Sequence, residues 1–133
     1  SNLAYEGFKT FIQYEGDQRV GNCAACHTLP DFTDGRSHNV KPGMAKVPTT
    51  SLRNLNKSAQ ALRKIIDQKI NYAKIKQKGD VTEISDAYSQ IRLHQDDVSG
   101  LVAFLEILRD VPEQTFRQLI LDSKVFDPSG TPE

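Results

Sequence analysis

Apolar positions return at helical spacing in four stretches of the chain. Leu3, Ala4, Phe8, Phe11 and Ile12 form the first stripe and predict a helix over 3–14, closed by Glu15-Gly16-Asp17. A turn then leads to a short helix over 22–27. Ala61, Leu62, Ile65, Ile66, Ile70 and Tyr72-Ala73 keep a 3.6-residue rhythm from Ser58 to about Lys76, where Gly79-Asp80 breaks it. A short helix is possible around Glu83–Gln90. Leu101, Val102, Leu105 and Leu108 give the next helix, starting near Gln95 and ending before Pro112. Phe116, Leu119 and Ile120 predict a last helix over 112–123, and the tail after Asp127 reads as frayed. No run alternates with the period of a strand, so the expected fold is all-α. Gly7, beside Phe8, has no Cβ, and a late helix carrying Leu101–Leu105 can approach closely there.

Between the first two long helices lies a stretch with no periodicity. Pro30, Gly35, Pro42, Gly43 and Pro48 punctuate residues 28–50. Long ordered loops in small domains are often functional, and a bound group can stand in for the missing core. At 133 residues the chain is sized for one domain, 1–133. Its core is expected over about 3–110, with a C-terminal helix and tail over 111–133. Seventeen basic and seventeen acidic residues balance, so the basic excess of a nucleic-acid binder is missing. The longest apolar run, Leu101–Leu105, is far short of the ~20 residues a bilayer span needs.

The only two cysteines stand three apart and are followed by a histidine: Cys23-Ala24-Ala25-Cys26-His27. Cys-x-x-Cys-His is the attachment signature of c-type haem. Each thiol adds to one of two vinyl groups on neighbouring pyrroles, and the adjacent histidine supplies the proximal nitrogen of the iron. Two other readings compete. Half a zinc site would need further ligands beyond this set. A thioredoxin-like redox pair would need a βαβ setting, and none surrounds the motif. The expected cofactor is one covalent haem c. Thioether attachment happens on exported chains, which implies a periplasmic or otherwise exported location. No signal peptide is visible at Ser1-Asn2.

Beyond the motif come Phe32-Thr33-Asp34-Gly35, His38-Asn39, Val47-Pro48 and Leu52-Arg53-Asn54, in that order. With Leu101–Leu105, this series resembles the C-terminal haem domain of bacterial dihaem cytochrome c peroxidases and their methylamine-utilisation relatives. The resemblance runs from about Gly7 to Leu108. It implies a cytochrome c-like helical domain wrapped around one haem, with long loops, an extra C-terminal helix and crossed terminal helices. The chain also departs from that family. It has one attachment motif rather than two. The segment that bears the family's Met or Tyr axial ligand, expected after Leu-Arg-Asn, is missing.

The sixth position of the iron therefore has several candidates. Met44 is the only methionine, placed in the loop between Gly43 and Ala45. A thioether ligand would favour Fe(II) and raise the potential. His38 is the alternative distal ligand. His94, Tyr72 and Tyr88 follow, with N-capping as the plainer role for His94 and packing for the tyrosines. Arg53, Arg19 and Lys46 are candidates to meet the propionates, Arg53 first. Pro30 or a neighbouring carbonyl is expected to accept the Nδ1 proton of His27. Phe32 and Leu52 are expected as pocket wall. Lysines over 57–78 read as a solvated face or as a docking patch for an acidic redox partner protein. The expected function is electron transfer by a monohaem cytochrome. The alternative is a peroxidase-like enzyme, with His38 or Asp34 as distal acid–base group, or a sensor with a displaceable ligand.

Overall fold

The structure is a computed structural model that describes residues 2–29, 31–80 and 83–112, together with 114, 115 and 118. The helix expected over 112–123 falls almost wholly outside these, as does Pro30. Among the described residues there are three α-helices and one small two-stranded sheet. α1 spans Asn2–Ile12, α2 Ala59–Gln77 and α3 Gln95–Asp110. The Ser58 hydroxyl accepts from the Ala61 N–H and caps α2. The Asp97 carboxylate accepts from the His94 N–H at 2.9 Å and closes the first turn of α3.

α1 and α3 cross in direct contact. A Cβ built on Gly7 would lie 1.8 Å from the Gly100 carbonyl oxygen, so only glycine fits at this crossing. The crossing brings Phe8, Phe11 and Phe104 together, with ring centroids 5.2 Å apart for Phe8–Phe104 and for Phe11–Phe104. Phe32 joins from the loop at 5.8 Å from Phe11. Leu62, Ile66 and Ile70 of α2 and Leu101 and Leu108 of α3 complete this main core. A second, smaller apolar cluster is built from Ala73 at the end of α2, Ile84 and Tyr88, flanked by Val40, Tyr72 and Ile91.

Two expectations are corrected in the loops. The attachment segment is a single 3₁₀ turn, Cys23–Ala25, and Asp86–Gln90 is likewise a 3₁₀ turn. The chain is also not purely helical. β1 (Ser37–His38) pairs antiparallel with β2 (Val47–Pro48), in register Ser37 to Pro48 and His38 to Val47. Strands of two residues are too short for alternation to show in the sequence. A further bridge joins Val20 to Arg92 through two backbone bonds of 2.7 and 2.8 Å. The Asn22 side chain donates to the Ala87 carbonyl at 2.8 Å. These bonds tie the segment before the motif to the turn that carries Tyr88.

Candidate functional site

A cavity of about 300 Å³ opens along the seam between the two apolar clusters. The main cluster contributes Phe11, Leu52, Leu62, Ile66, Leu101 and Leu105 to its wall; the second contributes Val40, Tyr88 and Ile91. Cys23, Cys26 and His27 all line it. The walls are thus largely apolar, with Cys23, Cys26 and His27 together among the lining residues.

Backbone geometry places these three residues. Asn22 and Phe32 both have left-handed φ, 52° and 60°. Such a conformation costs a side-chain-bearing residue roughly 1–2 kcal/mol. At Phe32 the fully buried ring, held among Phe11 and Phe104, keeps the backbone there. The result is that the Phe32 carbonyl meets His27 Nδ1 at 3.0 Å. A carbonyl only accepts, so Nδ1 carries the proton and Nε2 of the neutral ring keeps its lone pair. A backbone carbonyl on Nδ1 is the hydrogen bond a metal-ligating imidazole commonly makes; the Thr50 carbonyl also acts on the ring and, like that of Phe32, favours its protonated form. The expected acceptor was Pro30 or a nearby carbonyl; the carbonyl is that of Phe32. The His27 ring rests on Phe11, centroids 6.4 Å apart. Burial holds its pKa below the ordinary value, with the Phe32 carbonyl opposing.

Burial also pushes the Cys23 thiol up to about 11. Cys26 is raised by burial and by the Asp34 charge. Redox-active Cys-x-x-Cys pairs work through a depressed thiol pKa, so this environment opposes the dithiol reading. The zinc reading fares no better. Among the described residues, the donors that converge are Cys26, Asp34 and His38, within 4.8 Å of one another. That is three donors where a closed structural zinc site takes four, and neither Cys23 nor His27 is among them.

The candidate distal residues separate clearly. Met44 is 51% exposed and does not line the cavity, so the structure does not bring it to His27. Its loop is a surface turn whose Gly43 N–H is held by the Glu83 carboxylate at 2.9 Å. His38 lines the cavity but sits beside Cys26, and its Nε2 is bonded to the Asp34 carboxylate at 2.7 Å. The Arg36 N–H and His38 together hold Asp34 down at about 2. His94 is exposed at the start of α3, and Tyr72 flanks the second cluster without lining the cavity.

Tyr88 does line it, from the second cluster, and is buried at 6% exposure. Its hydroxyl oxygen meets Lys69 Nζ at 3.2 Å. Lys69 itself lines the cavity, and its charge acts on Cys23, Cys26 and His27. The lysines of 57–78 are therefore not one face. Lys64, Lys74 and Lys78 are exposed, Lys76 pairs with Asp86 at 3.0 Å, and Lys69 turns inward. The sequence signal for Lys69 was its place on the stripe Leu62, Ile66, Ala73, which a helix repeats every three or four residues.

The expected supporting residues are partly moved. Leu52 is on the cavity wall, whereas Phe32 stands behind it in the main core. Arg53 does not line the cavity; its guanidinium lies 5.3 Å from the Phe32 ring centroid, over the ring. Arg19 pairs with Glu6 and, at 3.6 Å, with Asp97, tying α1 to α3 instead. Lys46 is exposed and off the cavity wall. Among the described residues no helix is long and apolar enough to cross a membrane. No family model, no curated protein and no solved structure matches this chain.

Proposed function

We propose that this chain is a c-type cytochrome that carries single electrons to and from a redox partner protein in an exported compartment. One haem would be attached through Cys23 and Cys26, with His27 as one axial ligand and Tyr88 as the other. The observation that supports this reading is one cavity lined by the whole Cys-x-x-Cys-His set and by the buried Tyr88. Bound there, the haem supplies a reversible one-electron couple between Fe(III) and Fe(II). The chain's own residues do the rest. The Phe32 carbonyl fixes the His27 tautomer. Leu62, Ile66, Leu101 and Leu105 exclude water. With His27 and Tyr88 both given to the iron, the chain would need no substrate site there.

An oxygen ligand changes the expected potential. A methionine sulfur would have favoured Fe(II); a phenol oxygen favours Fe(III), so this carrier belongs at the low-potential end. The test is intact mass after expression in a host that attaches haem to exported chains. The denatured protein should carry the mass of one haem, and the Cys23→Ser, Cys26→Ser double variant should carry none. A wild-type chain that leaves that host with two free thiols and no added mass would overturn the proposal.

A further inference from the structure

We infer that Lys69 is the positioning residue for the distal ligand: its Nζ donates to the Tyr88 oxygen, fixing the ring and placing a cation beside it. The inference rests on the reading of Tyr88 as an axial ligand.

Three observations converge on Lys69. First, Lys69 is half-buried on the cavity wall, and an ammonium that gives up part of its hydration needs a partner. No carboxylate of the described residues pairs with Lys69, and the hydrogen-bond acceptor it has is the Tyr88 oxygen at 3.2 Å. Second, the ammonium lies 5.8 Å from the Tyr88 ring centroid, so it engages the ring as well as the oxygen. Third, both partners are anchored by other bonds. Tyr88 sits in a turn whose carbonyls are held by Gln77, whose Nε2 donates to Ile91 at 2.7 Å and to Tyr88 at 3.3 Å. Lys69 lies on α2 between the buried Ile66 and Ile70. The two side chains therefore meet because two fixed elements bring them together.

The consequence for the site follows from electrostatics. A cation beside a ligand oxygen draws electron density away from the iron, and its field disfavours the extra positive charge of Fe(III). Both effects raise the reduction potential from the low value an unmodified oxygen ligand would set. Lys69 moderates the couple without touching the iron.

The experiment is equilibrium potentiometry of the haem-loaded protein at one fixed pH, with ferric optical and electron paramagnetic resonance spectra of the same samples. Lys69→Leu, which keeps an aliphatic side chain and loses the charge without adding an iron-binding atom, should lower the midpoint. The Fe(III)/Fe(II) ratio at a fixed poise should rise on the order of tenfold, which is 59 mV for one electron. Lys69→Arg keeps the cation and should restore most of the shift. Tyr88→Phe should replace the ferric spectrum altogether. If Tyr88→Phe changes the ferric spectrum but Lys69→Leu leaves the midpoint where it was, the role of Lys69 falls and the ligand reading stands. If Tyr88→Phe leaves the ferric spectrum unchanged, the ligand reading falls and this inference with it. If Lys69→Leu rather than Tyr88→Phe removes the sixth ligand, the lysine is itself the ligand, and both are overturned.

Discussion

Gly7→Ala adds a single methyl group at the place where α1 meets α3. The added carbon would lie 1.8 Å from the Gly100 carbonyl oxygen, 2.3 Å from its carbon and 2.9 Å from the Leu101 nitrogen. All three are backbone atoms, so no side chain can swing aside. A carbon and a carbonyl oxygen rest no closer than about 3.3 Å, so the helices must part locally by roughly 1.5 Å. A gap of even ~0.5–1 Å forfeits a quarter to a half of each contact's dispersion energy, and the Phe8–Phe104 and Phe11–Phe104 contacts lie beside the crossing. Overpacking of this kind costs about 3 kcal/mol, at the upper end of its usual range. Alanine's better helix propensity returns about 1 kcal/mol. The net expectation is a loss of about 2 kcal/mol. With a slope of about 2 kcal/mol/M, the urea midpoint followed by circular dichroism should fall by about 1 M. Gly100→Ala is the internal control: its nearest backbone atoms would stand at 3.3 Å, so it should cost clearly less. A Gly7→Ala protein as stable as the parent would refute the close crossing.

Three further outcomes are expected. Met44→Ala should leave the ferric and reduced spectra unchanged and alter stability by no more than about 0.5 kcal/mol, since the side chain is half exposed and off the cavity; a changed ferric spectrum would return Met44 to the iron. Asn22→Ala loses the bond to the Ala87 carbonyl and places alanine, which tolerates the left-handed region less well than asparagine, at φ 52°, and should cost about 2 kcal/mol in urea unfolding. Asn22→Gly keeps the conformation and should cost about half of that, so equal losses would contradict the account of the turn. Asp34, whose pKa is held at about 2 against an ordinary 3.8, is favoured in the folded state when ionised. Its contribution is complete above about pH 4 and is lost as pH falls toward 2. The protection of residues 33–49 against amide exchange, taken relative to the intrinsic rate at each pH, should fall over that window in the parent and stay flat in Asp34→Asn.

The long helices were legible because each buries one stripe: Phe8 and Phe11 on α1, Leu62, Ile66 and Ile70 on α2, Leu101 and Leu108 on α3. Gly7 announced the crossing, but Gly100, its partner, gave no separate sign. The Cys23–His27 segment could be read as a five-residue word, since the proposed haem attachment requires fixed spacing. The proposed partner ligand could not. Met44 drew attention by residue type, yet its position depends on how residues 41–46 fold, and no periodicity governs that stretch. Tyr88 lies in a 3₁₀ turn placed by the Val20–Arg92 bridge and the Asn22–Ala87 bond, both long-range. Lys69 looked like one more solvated lysine because charge, rather than its place on the apolar stripe, was the salient feature. Arg53 followed from the resemblance, and the structure instead lays it on the Phe32 ring.

The central claim is an iron held by two side chains of this chain in both oxidation states. The most direct test is an optical spectrum of the haem-loaded protein, ferric and then dithionite-reduced, before and after carbon monoxide. The account predicts a six-coordinate iron in both states and a reduced spectrum that carbon monoxide leaves unchanged. Rapid carbon monoxide binding, or a five-coordinate ferric iron, would mean an open face and would contradict it.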